Sequence, residues 1–131
     1  MTVRERGALP KTTVLVVDDD LAVRELAAKI VAALGLEVLT AADGEAALAL
    51  VREHGPAIGC VVLDLSMPGL GGKETLLELW RMHPELPVIV SSGHNEAEAL
   101  ESLPGQGRID YLQKPFSAAA LEARVRAALE R

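Results

Sequence analysis

Several things are scarce in this chain, and each scarcity excludes a class of protein. There is one cysteine among 131 residues. No internal disulfide framework is available, so the fold must be held by its core. That cysteine, Cys60, lies inside an apolar run and reads as a small core residue. Aromatic residues make up 2% of the chain, so the core must be aliphatic, as in a sheet covered by helices. Basic residues are outnumbered: 13 Lys and Arg against 19 Asp and Glu leave a net charge of −6. With no basic stripe, direct nucleic-acid binding is not expected. Long apolar runs are missing too, and none approaches the roughly 20 residues that cross a bilayer. Met1 to Pro10 carries Arg4, Glu5 and Arg6 where a secretory signal would be apolar. These features predict a cytoplasmic protein without membrane contact. Residues 1–11 read as a disordered lead-in or linker remnant, and residues 12–131 as one domain.

What is present is a regular alternation. Val14 to Val17, Val38 to Ala41, Ile58 to Leu63, Val88 to Val90 and Ile109 to Gln113 are short apolar runs with the character of buried strands. Helical patterns lie between them. Asp20 is placed to cap the first, whose apolar positions Val23, Leu26, Ile30 and Leu34 predict its buried face, and Gly35 stops it. A second helix runs from Glu45 to about Glu53, a third from Lys73 to about Met82, and a short fourth from Asn95 to about Ser102. The last follows Ser117, with Leu121, Val125, Ala128 and Leu129 on one face. Five strand–helix units call for an α/β fold, a five-stranded parallel sheet with five helices on both faces. Ligands of such sheets bind beyond the carboxyl ends of the strands.

The chemistry-bearing residues fall at those ends. Asp18 and Asp19 close the first strand, Asp64 the third, Ser92 the fourth and Lys114 the fifth. Three carboxylates brought together repel one another unless a cation intervenes. No His or Cys has zinc-ligand spacing, so a hard ion, Mg²⁺ or Mn²⁺, suits Asp18, Asp19 and Asp64, with the Ser66 backbone carbonyl as a further ligand. The Lys114 ammonium and the Ser92 hydroxyl can then face the oxygens of a phosphoryl group. Asp64, on the central strand, is the candidate nucleophile. Lys114 precedes Pro115, and a cis bond there would aim the ammonium back across the crevice.

Four segments carry a family resemblance: Val16-Val17-Asp18-Asp19, Val62-Leu63-Asp64-Leu65-Ser66-Met67-Pro68-Gly69, Pro87-Val88-Ile89-Val90-Ser91-Ser92-Gly93 and Tyr111-Leu112-Gln113-Lys114-Pro115-Phe116. In this order and spacing the chain resembles the receiver domains of two-component response regulators. The resemblance implies the flavodoxin-like strand order 2-1-3-4-5. It implies phosphoryl transfer to Asp64 from a phosphohistidine on a sensor histidine kinase or histidine phosphotransfer domain. It also implies Mg²⁺ held by Asp18, Asp19, Asp64 and the Ser66 carbonyl, with Ser92 and Tyr111 as switch residues and Ser66 and His94 as positions that tune phosphoryl lifetime. Gly71-Gly72 stands where the family often has Asp-Gly, and Gln106-Gly107-Arg108 replaces the usual small-residue lead into the fifth strand.

Such a domain is not a turnover enzyme; its only chemistry is its own phosphorylation and dephosphorylation. Two other readings use the same acids. A small aspartate-based phosphohydrolase would need a cap insertion or a second acid near the nucleophile, but Ser66 occupies the position two after Asp64. A non-phosphorylated pseudo-receiver would not need Asp19, Asp64, Ser92 and Lys114 intact. A stand-alone regulator and a receiver cut from a hybrid kinase are both compatible with the sequence, and the oligomeric state is open.

Overall fold

The computed structural model describes residues 13–67, 71–93 and 109–130. Five strands run β1 (Thr13–Val17), β2 (Val38–Ala41), β3 (Ile58–Asp64), β4 (Val88–Ser92) and β5 (Ile109–Gln113). They form one parallel sheet in the order β2-β1-β3-β4-β5, the flavodoxin-like order that was expected. Four helices are described: α1 (Leu21–Ala32), α2 (Gly44–His54), α3 (Gly72–Met82) and α4 (Ala118–Leu129). The helix expected from Asn95 to about Ser102, the lead-in over residues 1–11 and His94 lie outside the described residues.

Both faces of the sheet are apolar because successive strand residues point to opposite sides and both sides are covered. Leu15, Val17, Val61, Leu63, Val88 and Val90 pack with Ala47, Leu48 and Val51 of α2 and Leu76, Leu79 and Trp80 of α3. Val14, Val16, Cys60, Val62, Ile89 and Leu112 pack with Ala27 and Val31 of α1 and Leu121, Val125 and Ala128 of α4. Trp80 donates its indole N–H to the Leu86 carbonyl at 3.2 Å, so this large ring is buried with its polar atom satisfied.

Of the expected apolar positions of the first helix, Ile30 and Leu34 pack partly buried against the core, but Leu26 does not. Ala27 and Val31 are buried, whereas Leu26 is 52% exposed. A small side chain at Ala27 lets the helix lie close to the sheet, and at 100° per residue that turns Leu26 outward. On α2, Ala46 is exposed and Val51 takes a place in the core; on α3, Leu77 faces outward. α4 buries Leu121, Val125 and Ala128 as expected.

Caps and turns hold the helix starts at the carboxyl end of the sheet. Asp20 accepts the Ala22 and Val23 amides at 2.9 and 3.2 Å, Asp43 accepts Ala46 N–H at 2.7 Å, and Ser117 accepts Ala120 N–H at 3.1 Å. α1 leaves through Gly35, whose φ of +86° is reached without strain only by glycine.

Candidate functional site

β1, β3, β4 and β5 each bring a residue at or just past their carboxyl end to one crevice. Asp18 follows Val17 and still belongs to the sheet, since its N–H donates to the Ala41 carbonyl of β2 at 3.1 Å. Its side chain is nearly fully buried. Oδ1 accepts the Asp20 N–H at 2.9 Å, and the Asp18 carbonyl accepts from Arg24 Nη1 at 2.9 Å. The chain therefore turns from β1 into α1 around a fixed carboxylate. Asp19 projects outward and is exposed.

Asp64 is the last residue of β3 and is only 2% exposed. Its Oδ1 accepts the Ser66 N–H at 3.0 Å, and the next amide, Leu65 N–H, donates to the Ser91 carbonyl at 3.0 Å. α3 begins directly against this segment. A Cβ on Gly72 would meet the Leu65 Cα and stand 2.6 Å from the Asp64 carbonyl oxygen, so only glycine permits the approach.

Lys114 closes the crevice from β5. Its N–H donates to the Ser92 carbonyl at 2.8 Å, and the Lys114–Pro115 peptide bond is cis. Lys114 Nζ lies 2.8 Å from Asp18 Oδ2 and 3.4 Å from Asp64 Oδ2. One ammonium thus bridges two buried carboxylates. Burial pushes the Asp64 carboxyl above its usual value. The Ser66 amide and the Lys114 charge pull it down and Asp18 pushes it further up, and the net shift is upward. For Lys114, burial acts to lower the pKa, but the Asp18 hydrogen bond and the charges of Asp64 and Asp18 more than offset it, so the ammonium is held above its usual value.

Carboxylate oxygens of Asp18, Asp19 and Asp64 all lie within 4.8 Å of one another. Two are buried and one faces water. Oxygen-only ligands in a half-open pocket suit a hard divalent cation that keeps part of its hydration shell. The site residues expected from the sequence are therefore brought together: Asp18, Asp19, Asp64 and Lys114 converge directly. Ser92, buried at the end of β4, adjoins them through its carbonyl bond to Lys114. Ser66 is exposed next to Asp64. Tyr111 is buried, its hydroxyl donating to the Ser92 carbonyl at 3.4 Å.

Sequence reasoning missed Arg24, which holds the Asp18 carbonyl, and the pair Asp110 and Arg124 around Tyr111. For Arg24 a signal existed: it is a long donor in the first turns of a helix that starts in the crevice. For Arg124, thirteen residues beyond Tyr111, there was none.

Comparison with known proteins agrees with this geometry. A family model described as the response regulator receiver domain matches residues 14–126. The probable transcriptional regulator ycf27 of Porphyridium aerugineum is 36% identical over 123 residues, covering 94% of this chain and 50% of that protein. The sensor kinase CckA of Brucella abortus is 36% identical over 119 residues, covering 91% of this chain and 13% of the kinase. The crystal structure of the receiver domain of NtrX from Brucella abortus superposes with a TM-score of 0.81 at 39% identity, over 89% of this chain and 98% of that one. The chain spans about half the length of the ycf27 relatives it matches.

Proposed function

The chain belongs to the response regulator receiver domains, and we propose that Asp64 is its phosphoacceptor. The observation that carries the assignment is the seating of Asp64: a buried carboxylate ending the central strand, 3.4 Å from an ammonium that also touches Asp18. Receiver domains signal through phosphorylation, so the phosphohydrolase and pseudo-receiver readings are not favoured.

In the proposed reaction an Asp64 carboxylate oxygen forms a bond to phosphorus as the P–N bond of a partner phosphohistidine breaks. The electron pair of that bond goes to the imidazole, which leaves neutral when its other ring nitrogen already carries a proton. Lys114 neutralises oxygens of the phosphoryl group on one side, and the Ser92 hydroxyl donates on another. Mg²⁺ or Mn²⁺ held by Asp18, Asp19, Asp64 and the Ser66 carbonyl would supply the remaining positive charge. Attack of water on phosphorus later returns the carboxylate and inorganic phosphate. While Asp64 carries the phosphoryl group, rearrangement at Ser92 and Tyr111 reports the charge change.

The donor is a sensor histidine kinase or a histidine phosphotransfer domain, and the setting is cytoplasmic. No described helix is long and apolar enough to cross a membrane. We assign residues 12–131 to the receiver unit and residues 1–11 to a lead-in or linker remnant outside it. The chemistry is self-directed, without turnover of a separate substrate and without direct contact to nucleic acid.

Incubation with acetyl phosphate and Mg²⁺ should add one phosphoryl mass to the intact chain. Asp64→Asn should add none, and chelation of the metal should abolish the addition. An unmodified wild-type chain, or undiminished labelling of Asp64→Asn, would overturn the assignment.

A further inference from the structure

Among the described residues β5 is an edge strand, paired with β4 on one side only. In a parallel ladder alternate residues direct their backbone groups to alternate sides, so every second residue of an edge strand turns N–H and C=O outward. At Tyr111 both groups are taken by side chains. The Tyr111 N–H donates to Asp110 Oδ1 at 2.8 Å, and Arg124 Nε of α4 donates to the Tyr111 carbonyl at 2.9 Å. The two side chains also meet each other, with Arg124 Nε 3.5 Å from Asp110 Oδ1. The peptide groups on both sides of one residue are thus gripped by one acid–base pair, and that residue is the buried tyrosine whose hydroxyl reaches the Ser92 carbonyl.

We propose that Asp110 and Arg124 form a clamp on the Tyr111 backbone that holds the phenol at the Ser92 carbonyl. They are positioning residues, acting through Tyr111 and touching neither metal nor phosphoryl group. The clamp joins α4 to the end of β5 by charge-assisted hydrogen bonds, which are stronger than neutral ones. It also seals the open sheet edge at the point where an added strand would pair. Its link to switching rests on the phosphoacceptor reading above; the clamp itself does not.

The chain has a single tyrosine, so uniform 3-fluorotyrosine labelling places one ¹⁹F reporter on this ring. The unliganded wild type should give one resonance, displaced from the urea-denatured position. Arg124→Ala should shift it toward that position or split it, Asp110→Asn should do so to a smaller extent, and Arg124→Lys should restore it in part. With Mg²⁺, beryllofluoride should shift the wild-type resonance, and Arg124→Ala should respond at a different concentration, because its ring no longer starts from the clamped position.

A resonance of Arg124→Ala superimposable on that of the wild type overturns the clamp, whatever happens to thermal stability. A wild-type spectrum indifferent to beryllofluoride overturns the phosphoacceptor reading instead, and the unliganded spectra of the variants still decide the clamp.

Discussion

The two ends of the sheet are built from the same strands and differ in what they enclose. At the carboxyl ends, Asp18 and Asp64 are buried around Lys114. At the amino ends, a cleft of about 480 Å³ runs past Gly55, Pro56, His83, Pro84, Glu85 and Pro87, yet the described residues lining it bury no charge. A cleft is therefore not by itself a sign of chemistry here; the proposed site is marked by convergent charge removed from water. The glycines at the two ends show the same contrast. Gly72 is pressed against the backbone of Leu65 and Asp64, whereas Gly55 is approached by the imidazole of His83, the far end of a side chain that can rotate away.

Three experiments test that contrast, the largest effect first. Gly72→Ala must displace the backbone of Leu65 and Asp64 and should cost about 1–3 kcal/mol. Gly55→Ala, whose backbone is already helical, should stay within about 1 kcal/mol in either direction. Urea denaturation of both variants checks this, and equal losses would show that the two ends are packed alike.

The second concerns the cost of holding the site charged. The folded-state pKa of Asp64 is raised, so the folded chain binds the Asp64 proton more tightly than the unfolded chain does. The Asp64 contribution to stability is full below the unfolded carboxyl pKa and is lost as pH rises through the folded one. In a chelator at neutral pH, Asp64→Asn should therefore unfold at a higher temperature than wild type, and the gap should close as pH falls. A lower melting temperature for Asp64→Asn at neutral pH would mean that the Lys114 bridge outweighs the burial.

The smallest effect belongs to the apolar middle of the sheet. Burial pushes the Cys60 thiol up to about 12, so no thiolate is available in the native state at ordinary pH. Alkylation should proceed only at the rate of unfolding and leave native protein untouched over the time that labels the denatured chain. Rapid modification of folded protein would show that β3 opens locally.

How much of this was legible in the sequence follows from distance along the chain. Strands were legible because runs such as Val14 to Val17 are local, and Asp64 and Lys114 stood out because a charge that ends an apolar run has few structural explanations. The convergence of Asp18, Asp64 and Lys114 needed the parallel topology as well, which the strand–helix alternation provides. On α1, Leu26 was taken for a core position in place of Ala27, because Ala27 carries little hydrophobic weight of its own and gains its place only from the proximity of the sheet. The grips of Arg24 on Asp18 and of Arg124 on Tyr111 were invisible, since a helical arginine reads as a solvated face until the fold shows which carbonyl it meets.

Asp18, Asp19 and Asp20 perform three tasks in three consecutive positions: one faces the ammonium, one faces water and one caps α1. Because the Asp20 amide also binds the Asp18 carboxylate, pocket wall and helix origin are a single covalent unit. Grafting this crevice onto a foreign strand–helix junction would have to transplant the whole tripeptide, and a lineage that discarded it would forfeit the start of its first helix along with the pocket.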